Sequence, residues 1–431
     1  MSMKEFERII GYDVIKKELE RIADTLRNPK HYSCLGVTPP NGLLLYGEPG
    51  VGKSTMAKAL INASGRTVFT CRRDRPDGDF VWTINHTFSD AVEAAPSVVF
   101  LDDLDKFSKS EEGCGNQEEY VAVQAGIDSV RGKNVFVIAT ANEIYLLPDS
   151  LQRPGRFDKI IKVEEPSLEE AKEITKHYLA GKAVAPDVDV ETIARMLSGR
   201  SCAALETAVN SAGIYAGYER SQTITMKHML MGCLETAHQL SPDLIIHGRT
   251  DDANDPECEM TRVACHEAGH AVVSEVLRPG SVSFVCIHES RNDSRGFTAA
   301  HAKNNSFDRL SKEITCSVAG AAALDQRFGI TDIGASSDFE DAKNTLWELI
   351  AHDGYCGFPL LESTRRDSDQ LLMETEKIIS IEMYKHYSEA KRILASNMDF
   401  LKAMILELLD KGLLTRNDIQ RIKESCAKAA G

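Results

Sequence analysis

The sequence lacks the long apolar segments of a membrane protein. No stretch reaches the roughly 18 apolar residues that span a bilayer. The N-terminus, M-S-M-K-E-F-E-R-I-I, contains no apolar core of signal-peptide length. Internal repeats and low-complexity tracts are also absent. We therefore expect a chain with no membrane span.

The cysteine spacing excludes a disulfide framework. The eleven cysteines are odd in number, scattered, and nowhere spaced as C-x-x-C. Neither a disulfide-stapled fold nor a zinc ribbon is indicated by such a pattern. Scattered cysteines of this kind are typical of proteins in a reducing compartment. We expect a cytoplasmic protein, which would associate with a membrane only if an N-terminal anchor had been removed.

Positive charge is scarce relative to negative charge. Fifty lysines and arginines against 65 aspartates and glutamates give a formal net charge of −15, which repels phosphate backbones and anionic membranes. We therefore expect no nucleic-acid partner. The 42% of hydrophobic residues indicates folded globular domains, and a chain of 431 residues has room for two or three of them.

Strand-like and helical patterns divide the chain. Three short apolar runs, 42–46, 98–101 and 135–139, are separated by stretches long enough for helices, which favours a parallel sheet covered by helices. Helical periodicity follows, then a polar segment typical of a linker, then a mostly helical region with one strand-like patch at 281–287. The domain bounds that we predict are 1–163, 164–244, a linker at 245–256, and 257–431.

The first of two specific motifs is a glycine-rich loop after the first apolar run. Residues 47–54, G-E-P-G-V-G-K-S, fit G-x-x-x-x-G-K-[ST] and precede a helical segment. The glycines leave backbone N–H groups free to cradle phosphates, Lys53 can reach the β- and γ-phosphates, and Ser54 can hold Mg²⁺. The motif predicts a bound nucleoside triphosphate; the alternative is a glycine-rich turn without a ligand.

Polar residues follow the other two apolar runs. The second run ends in Asp102 and Asp103, which suit a Mg²⁺ shell and an attacking water, although such a pair alone is more often a polar cap. The third run leads to Asn142, and Arg153 and Arg156 follow in a rigid Pro-Gly turn. These arginines either stabilise phosphoryl transfer, in a neighbouring subunit, or form ordinary surface salt bridges.

Residues 6–240 resemble an AAA+ ATPase module, from F-E-R-I-I-G at 6–11 to L-S-G at 197–199. The resemblance implies an α/β P-loop module, a parallel sheet with helices on both faces, followed by a helical lid. It also implies a ring, usually a hexamer. Asp102 resembles the Mg²⁺-organising acid and Asp103 the water-activating acid. The other implied catalytic residues are the γ-phosphate sensor Asn142 and the trans-acting fingers Arg153 and Arg156. The residues expected around ATP and Mg²⁺ are Ile10, Gly47, Gly50, Val51, Gly52, Lys53, Ser54, Thr55 and Asp102.

One residue and one segment depart from that family's pattern. The family normally has Glu where this chain has Asp103, and a side chain one methylene shorter predicts slow ATP hydrolysis. The pore-loop region, 79–85, is shorter than in related proteases and lacks their aromatic-apolar-Gly triplet. Within it, Phe80 or Trp82 either grips substrate or packs in the core.

The second motif is H-E-A-G-H at 266–270, inside a helical pattern. Residues four apart share a helix face, so His266 and His270 can converge on one Zn²⁺ while Glu267 acts as general base. The alternative is two histidines packed into a helix face. Cys265 is rotated about 100° from His266 around the helix axis, so it does not share the face of the two histidines. We expect it to be a buried apolar residue.

Residues 256–358 resemble the mostly α-helical peptidase domain of FtsH-type AAA+ zinc proteases. The segment T-D-I-G-A-S-S-D at 331–338 places Asp338 at that family's aspartate-ligand position. Alone, Asp338 would be a helix N-terminal acid. G-F-T at 296–298 also matches the family's layout. The resemblance therefore implies that the zinc ligands are His266, His270 and Asp338.

Together these patterns favour an ATP-dependent zinc metalloendopeptidase with ATP, Mg²⁺ and Zn²⁺ as cofactors. A homohexameric ring would unfold protein substrates, unfolded or tagged, and thread them into a zinc proteolytic chamber. Two alternatives stay open: an AAA+ remodeller with an inactive or weak peptidase scaffold, and a zinc peptidase with a slow or structural nucleotide site. Relatives usually carry membrane spans before the ATPase, so we expect a naturally soluble relative or a truncated chain.

Overall fold

The computed structural model describes residues 3–36, 39–73, 79–107, 118–238, 252–287, 297–300, 306–331, 333–355 and 369–429. They belong to two compact units, Met1–Thr225 and Met226–Gly431. Most of the predicted linker, up to residue 251, lies outside the described residues, as does Gly296. The predicted domain bounds remain predictions.

The first unit contains five strands, β1 (Gly42–Tyr46), β2 (Thr67–Cys71), β3 (Ser97–Leu101), β4 (Val135–Ala141) and β5 (Lys159–Lys162). They form one sheet in the order β2-β3-β4-β1-β5, with every pairing parallel. The parallel sheet that we predict is thus confirmed, because β1, β3 and β4 coincide with the three apolar runs. The edge strands β2 and β5 carry mostly exposed side chains, which is why the apolar pattern does not reveal them.

Nine α-helices accompany this sheet in the described part of the unit: α1 (Met3–Phe6), α2 (Asp13–Arg27), α3 (Pro29–Cys34), α4 (Lys53–Ser64), α5 (Phe80–Glu93), α6 (Glu118–Val130), α7 (Leu168–Leu179), α8 (Val190–Met196) and α9 (Cys202–Tyr218). Helix α4 packs against β1 and β4, and α5 packs against β2 and β3. The last three helices form the helical segment that the periodicity predicts. A capping box of Ser167 and Glu170 fixes the start of α7.

The register of the sheet decides where its polar strand ends meet. Tyr46, the last residue of β1, pairs with Ala141, the last residue of β4, and Leu101, the last residue of β3, pairs with Ala139. The segments that follow these three strands therefore leave the same edge of the sheet. In parallel sheets, ligands bind outside the carboxyl ends of the strands.

The second unit is mostly helical: α10 (Met226–His238), α11 (Glu259–Leu277), α12 (Phe307–Ser317), α13 (Ala319–Phe328), α14 (Ser336–Trp347), α15 (Asp369–Ser396), α16 (Met398–Lys411) and α17 (Arg416–Ala429). Helix α11 packs against α13 and α16 in the centre of its core. Within the described ranges, no helix combines the length and the apolar character needed to cross a bilayer.

A small antiparallel sheet completes the second unit. Its strands are β6 (Val282–Cys286), β7 (Phe297–Ala300) and β8 (Leu413–Thr415), in the order β7-β6-β8. Strand β6 is the predicted strand-like patch, and all five of its residues are buried. Strands β7 and β8 are only four and three residues long, too short for an apolar pattern to predict.

Candidate nucleotide and metal sites

The glycine-rich loop lies between β1 and α4, as the motif predicts. Gly47 has φ 147°, and a Cβ there would lie 2.0 Å from the carbonyl oxygen of Val163. Gly52 has φ 100° immediately before α4. Residues with a side chain rarely adopt such φ values, so the loop requires glycine at both positions. Its backbone N–H groups and the helix N-terminus can then bind a phosphate.

Lys53 begins α4, and its side chain is buried at the loop. Its Nζ donates to the carbonyl oxygens of Gly47 and Glu48, at 2.7 and 2.8 Å, and to Oδ1 of Asn142 at 2.9 Å. Burial lowers the pKa of Lys53, whereas neighbouring carboxylates act in the opposite direction. The structure thus brings the predicted phosphate-binding Lys53 and the predicted sensor Asn142 into direct contact.

Asp102 and Asp103 follow β3 but have different partners. Oδ1 of Asp102 accepts hydrogen bonds from Ser54 Oγ at 3.0 Å and from Thr140 Oγ1 at 2.8 Å. Oδ2 of Asp103 pairs with Nζ of Lys106 at 3.0 Å. Carboxylate and hydroxyl oxygens are ligands that suit Mg²⁺. Ser54 and Asp102 are therefore placed to hold this ion together.

A cavity of about 100 Å³ adjoins the loop, α4, α7 and α9. Four of the predicted nucleotide-binding residues line it: Ile10, Val51, Gly52 and Thr55. The remaining lining residues are Arg8, Ile9, Tyr12, Met56, Ile174, His177, Tyr178 and Cys202. A recess that both apolar and polar side chains line, beside a phosphate-binding loop, suits the base of a nucleotide.

The two predicted arginine fingers differ in their partners. Arg156 donates to both carboxylate oxygens of Asp128, at 3.2 and 2.8 Å, and to the carbonyl oxygen of Ser150 at 2.6 Å. The hydrogen bond to Asp128 raises the pKa of Arg156. Arg153 is exposed, and its guanidinium has no ion-pair or hydrogen-bond partner among the described residues. Of the two guanidinium groups, that of Arg153 is therefore the one available to a further partner.

Phe80 and Trp82 lie in the first turn of α5 in different environments. The Phe80 ring packs edge-on against Phe107, with centroids 4.9 Å apart, and beneath the guanidinium of Arg73. Trp82 stacks on His86 and is 58% exposed. Phe80 thus contributes to packing, and Trp82 is the aromatic residue of this pair that a polypeptide can contact.

In the second unit, the three predicted metal ligands converge. Nε2 of His266 and Nε2 of His270 lie 3.0 Å apart, and Oδ2 of Asp338 lies 2.9 Å from the first and 3.2 Å from the second. With ligand bonds of about 2.0–2.1 Å, the ligand atoms of tetrahedral Zn²⁺ lie about 3.3 Å apart. The donor set and its spacing therefore fit Zn²⁺ and leave a fourth coordination position.

Two helices set this geometry. His266 and His270 are one turn apart on α11, and Asp338 lies in the first turn of α14. The carbonyl oxygen of Cys316, at the end of α12, lies 2.7 Å from Nδ1 of His270. A carbonyl oxygen can only accept, so Nδ1 of His270 carries the proton and Nε2 is left to bind a metal.

Burial and neighbouring charges shift the pKa of His270 in opposite directions. Burial lowers the pKa of His270, but the hydrogen bond to Asp338 and the charge of Glu267 outweigh burial and raise this pKa to about 9. An imidazole ligand must bind a metal in its neutral form. A metal bound here would therefore compete with a proton for His270.

Glu267 is buried beside the two histidines on α11. Its carboxylate oxygen Oε2 and its own carbonyl oxygen lie 2.9 and 3.1 Å from Oγ1 of Thr298 on β7. Burial raises the pKa of Glu267, although the histidines and the Thr298 hydrogen bond act in the opposite direction. A raised pKa is what a carboxylate needs to exchange protons near neutral pH.

Close packing around the histidines depends on small residues. A Cβ at Gly320, on α13, would lie 2.5 Å from both Cε1 and Nε2 of His266.

Cys265 is fully buried in the helical core, and burial raises the pKa of its thiol to about 12. The predicted apolar role of Cys265 is thus confirmed.

Some residues at these sites lie outside the motifs. Arg72, directly after β2, approaches Oδ2 of Asp102 and Oδ2 of Asp103 at 3.6 Å. Asp105 accepts a hydrogen bond from Nδ2 of Asn142. The run D-D-L-D at 102–105 is a sequence signal for Asp105. No sequence signal marks Arg72, because it follows an edge strand whose mostly exposed side chains form no apolar run.

Both halves of the chain match known families. Residues 43–165 match "ATPase family associated with various cellular activities (AAA)", and residues 256–422 match "Peptidase family M41". The chain is similar to the ATP-dependent zinc metalloprotease FtsH of Helicobacter pylori, at 27% identity over 97% of this chain and 70% of the relative. It is 30% identical to the ATP-dependent zinc metalloprotease FtsH of Lachnoclostridium phytofermentans, over 98% of this chain and 74% of the relative.

Proposed function

Because the chain belongs to the FtsH family of ATP-dependent zinc metalloproteases, we propose a specific role for each residue of its two sites. The protein is an ATP-dependent zinc metalloprotease that acts on proteins, with ATP, Mg²⁺ and Zn²⁺ as cofactors. The observation that carries these roles is the convergence of His266, His270 and Asp338 beside Glu267, in a chain that also has a complete phosphate-binding loop.

In the first unit, the glycine-rich loop and Lys53 hold the phosphates of ATP, while Ser54 and Asp102 hold Mg²⁺. Asp103 orients the attacking water, and Asn142 contacts the γ-phosphate. The short carboxylate of Asp103 is paired with Lys106, which supports the expectation of slow hydrolysis. The other residues proposed to bind the nucleotide are Ile10, Gly47, Gly50, Val51, Gly52 and Thr55.

In the second unit, His266, His270 and Asp338 hold Zn²⁺, which supplies Lewis acidity for the hydrolysis of a peptide bond. Glu267 takes a proton from the attacking water and returns it to the leaving amine. The contact with Thr298 holds the Glu267 carboxylate in place, and its raised pKa supports this proton transfer.

We propose that copies of the chain assemble into a homohexameric ring that unfolds and threads its substrates. The free guanidinium of Arg153 supports this assembly, because an arginine finger must reach the γ-phosphate of a neighbouring subunit. Arg156, anchored by Asp128, braces the same turn. The exposed ring of Trp82 is the side chain that we propose contacts the threaded polypeptide.

Replacing Lys53 should separate ATP turnover from peptide cleavage. We expect Lys53→Ala to abolish ATP turnover and the degradation of a folded protein, because a buried ammonium at the phosphate loop is lost. Cleavage of a short unstructured peptide should stay within about twofold of wild type, because that peptide needs no unfolding and the zinc site is unchanged. Both rates are measured on the same purified protein.

Lys58→Ala is the matched control, since Lys58 lies on the same helix but is exposed. This variant should keep both activities. Normal ATP turnover by Lys53→Ala would overturn the proposed nucleotide site.

A further inference from the structure

Asp105 lies just beyond the two acids assigned above, in a short turn, Leu104–Lys106, that follows β3. Its Oδ2 accepts a hydrogen bond from Nδ2 of Asn142 at 3.3 Å. Oδ1 of Asn142 in turn accepts from Nζ of Lys53 at 2.9 Å. Three side chains are thus joined in the order Asp105, Asn142, Lys53.

The chemistry of the two outer groups fixes the orientation of the amide between them. A lysine ammonium can only donate hydrogen bonds, and an ionised carboxylate can only accept them. The side chain of Asn142 must therefore direct Oδ1 to Lys53 and Nδ2 to Asp105. The amide nitrogen has two hydrogens, so the second N–H stays available for a phosphate or a water.

Asp105 and Asp103 are not equivalent. The carboxylate of Asp103 pairs with Lys106 and lies near Arg72. Oδ1 of Asp105 is buried, and no hydrogen-bond partner for it is found in the part of the chain that the structure describes. Buried polar atoms that only maintain a fold are usually hydrogen-bonded. A half-satisfied carboxylate at the phosphate loop points instead to a functional role.

We infer that Asp105 is a positioning residue for ATP hydrolysis, which acts by holding the amide of Asn142 in this orientation. The inference rests on the proposed ATPase function. It makes Asp105 an acceptor for Asn142 rather than a second Mg²⁺ ligand or a second base. Loss of the acceptor lets the amide rotate, so that its oxygen can face the γ-phosphate and repel it.

Two substitutions separate the acceptor from the charge. Asp105→Leu is close in shape but has no acceptor, and we expect its kcat for ATP to fall about tenfold or more, with KM within about twofold. Asp105→Asn keeps a carbonyl acceptor and removes the charge, so its kcat should stay within about threefold of wild type. If leucine at position 105 disturbs folding, Asp105→Ala is used in its place, and we expect the same fall in kcat.

A double-mutant cycle tests whether Asp105 acts through Asn142. In an Asn142→Ala background, removal of the acceptor at position 105 should cause no further loss of kcat, because its only relevant partner is gone. Additive losses would overturn the inference. So would an Asp105→Asn variant as slow as Asp105→Leu, since that result assigns the effect to charge.

Peptide cleavage and wild-type turnover distinguish the possible failures. Every variant should cleave a short unstructured peptide normally, which shows that the second unit is folded, and an unchanged KM for ATP shows that the first unit is folded. No ATP turnover by the wild-type protein would refute the ATPase function itself. Wild-type turnover together with an unchanged kcat in Asp105→Leu would refute only the role of Asp105.

Discussion

Glu267→Gln should lower peptide cleavage by about 10²- to 10⁴-fold, the usual contribution of general acid–base catalysis. Glutamine has nearly the same shape and can still accept the hydrogen bond from Thr298, so the loss arises from the missing base. The ligands His266, His270 and Asp338 are unchanged, and zinc content should stay at one ion per chain. ATP turnover should also stay at the wild-type rate. Cleavage, metal content and ATP turnover are measured on one preparation.

Glu275→Gln is a matched control on the same helix. Glu275 is also buried, and its two carboxylate oxygens accept hydrogen bonds from the backbone N–H groups of Gly280 and Val282 at 2.8 and 3.1 Å. We expect this variant to melt at a lower temperature but to cleave normally while folded. If Glu267→Gln cleaves at a rate close to wild type, Glu267 is not the base.

Gly320→Ala should disrupt the zinc site while sparing the fold. The added Cβ would lie 2.5 Å from ring atoms of His266, and this ring can rotate away more easily than helix α13 can move. Rotation removes one of three protein ligands, so we expect zinc affinity to fall about 100-fold or more. Peptide cleavage should fall with it, whereas ATP turnover should not change. Zinc competition with a chelator measures the affinity.

Gly217→Ala is the control for a glycine-to-alanine change in a helix. A Cβ at Gly217, on α9, would meet no heavy atom within 4 Å. Alanine is favoured over glycine inside a helix, so this variant should keep zinc, cleavage and ATP turnover. Tight zinc binding by Gly320→Ala would show that the site tolerates the Cβ and would contradict the packing described here.

The buried parts of the fold are the parts that the sequence pattern predicts. Strands β1, β3 and β4 are covered on both faces and therefore appear as continuous apolar runs. Strands β2 and β5 lie at the sheet edges, where exposed side chains give no such run. The short strand β7 is defined by its pairing with β6, which is a long-range contact that a local pattern does not contain.

The residues of the candidate sites also fall into two groups: those that a local motif identifies, and those that only long-range contacts bring together. The phosphate loop and the two histidines of α11 have fixed local spacing, so the motifs identify them directly. The contacts of Asp105 with Asn142 and of Thr298 with Glu267 join distant segments of the chain. Neither pair has a characteristic spacing, and only the folded chain reveals them.

The difference between Arg153 and Arg156 also comes from the fold. Both lie in the same Pro-Gly turn and have equal charge. Asp128, on α6, pairs with Arg156 alone. The choice of partner depends on the packing of α6 against this turn, which the sequence of the turn does not specify.

Degradation of casein, a loosely folded protein, measures both cofactor requirements in one assay. Reactions are run with and without ATP, and with a zinc chelator before and after zinc is restored. We expect degradation only when ATP and zinc are both present, with full recovery on addition of zinc. Degradation that persists without zinc, or its absence from a zinc-loaded protein that hydrolyses ATP, would contradict an ATP-dependent zinc protease.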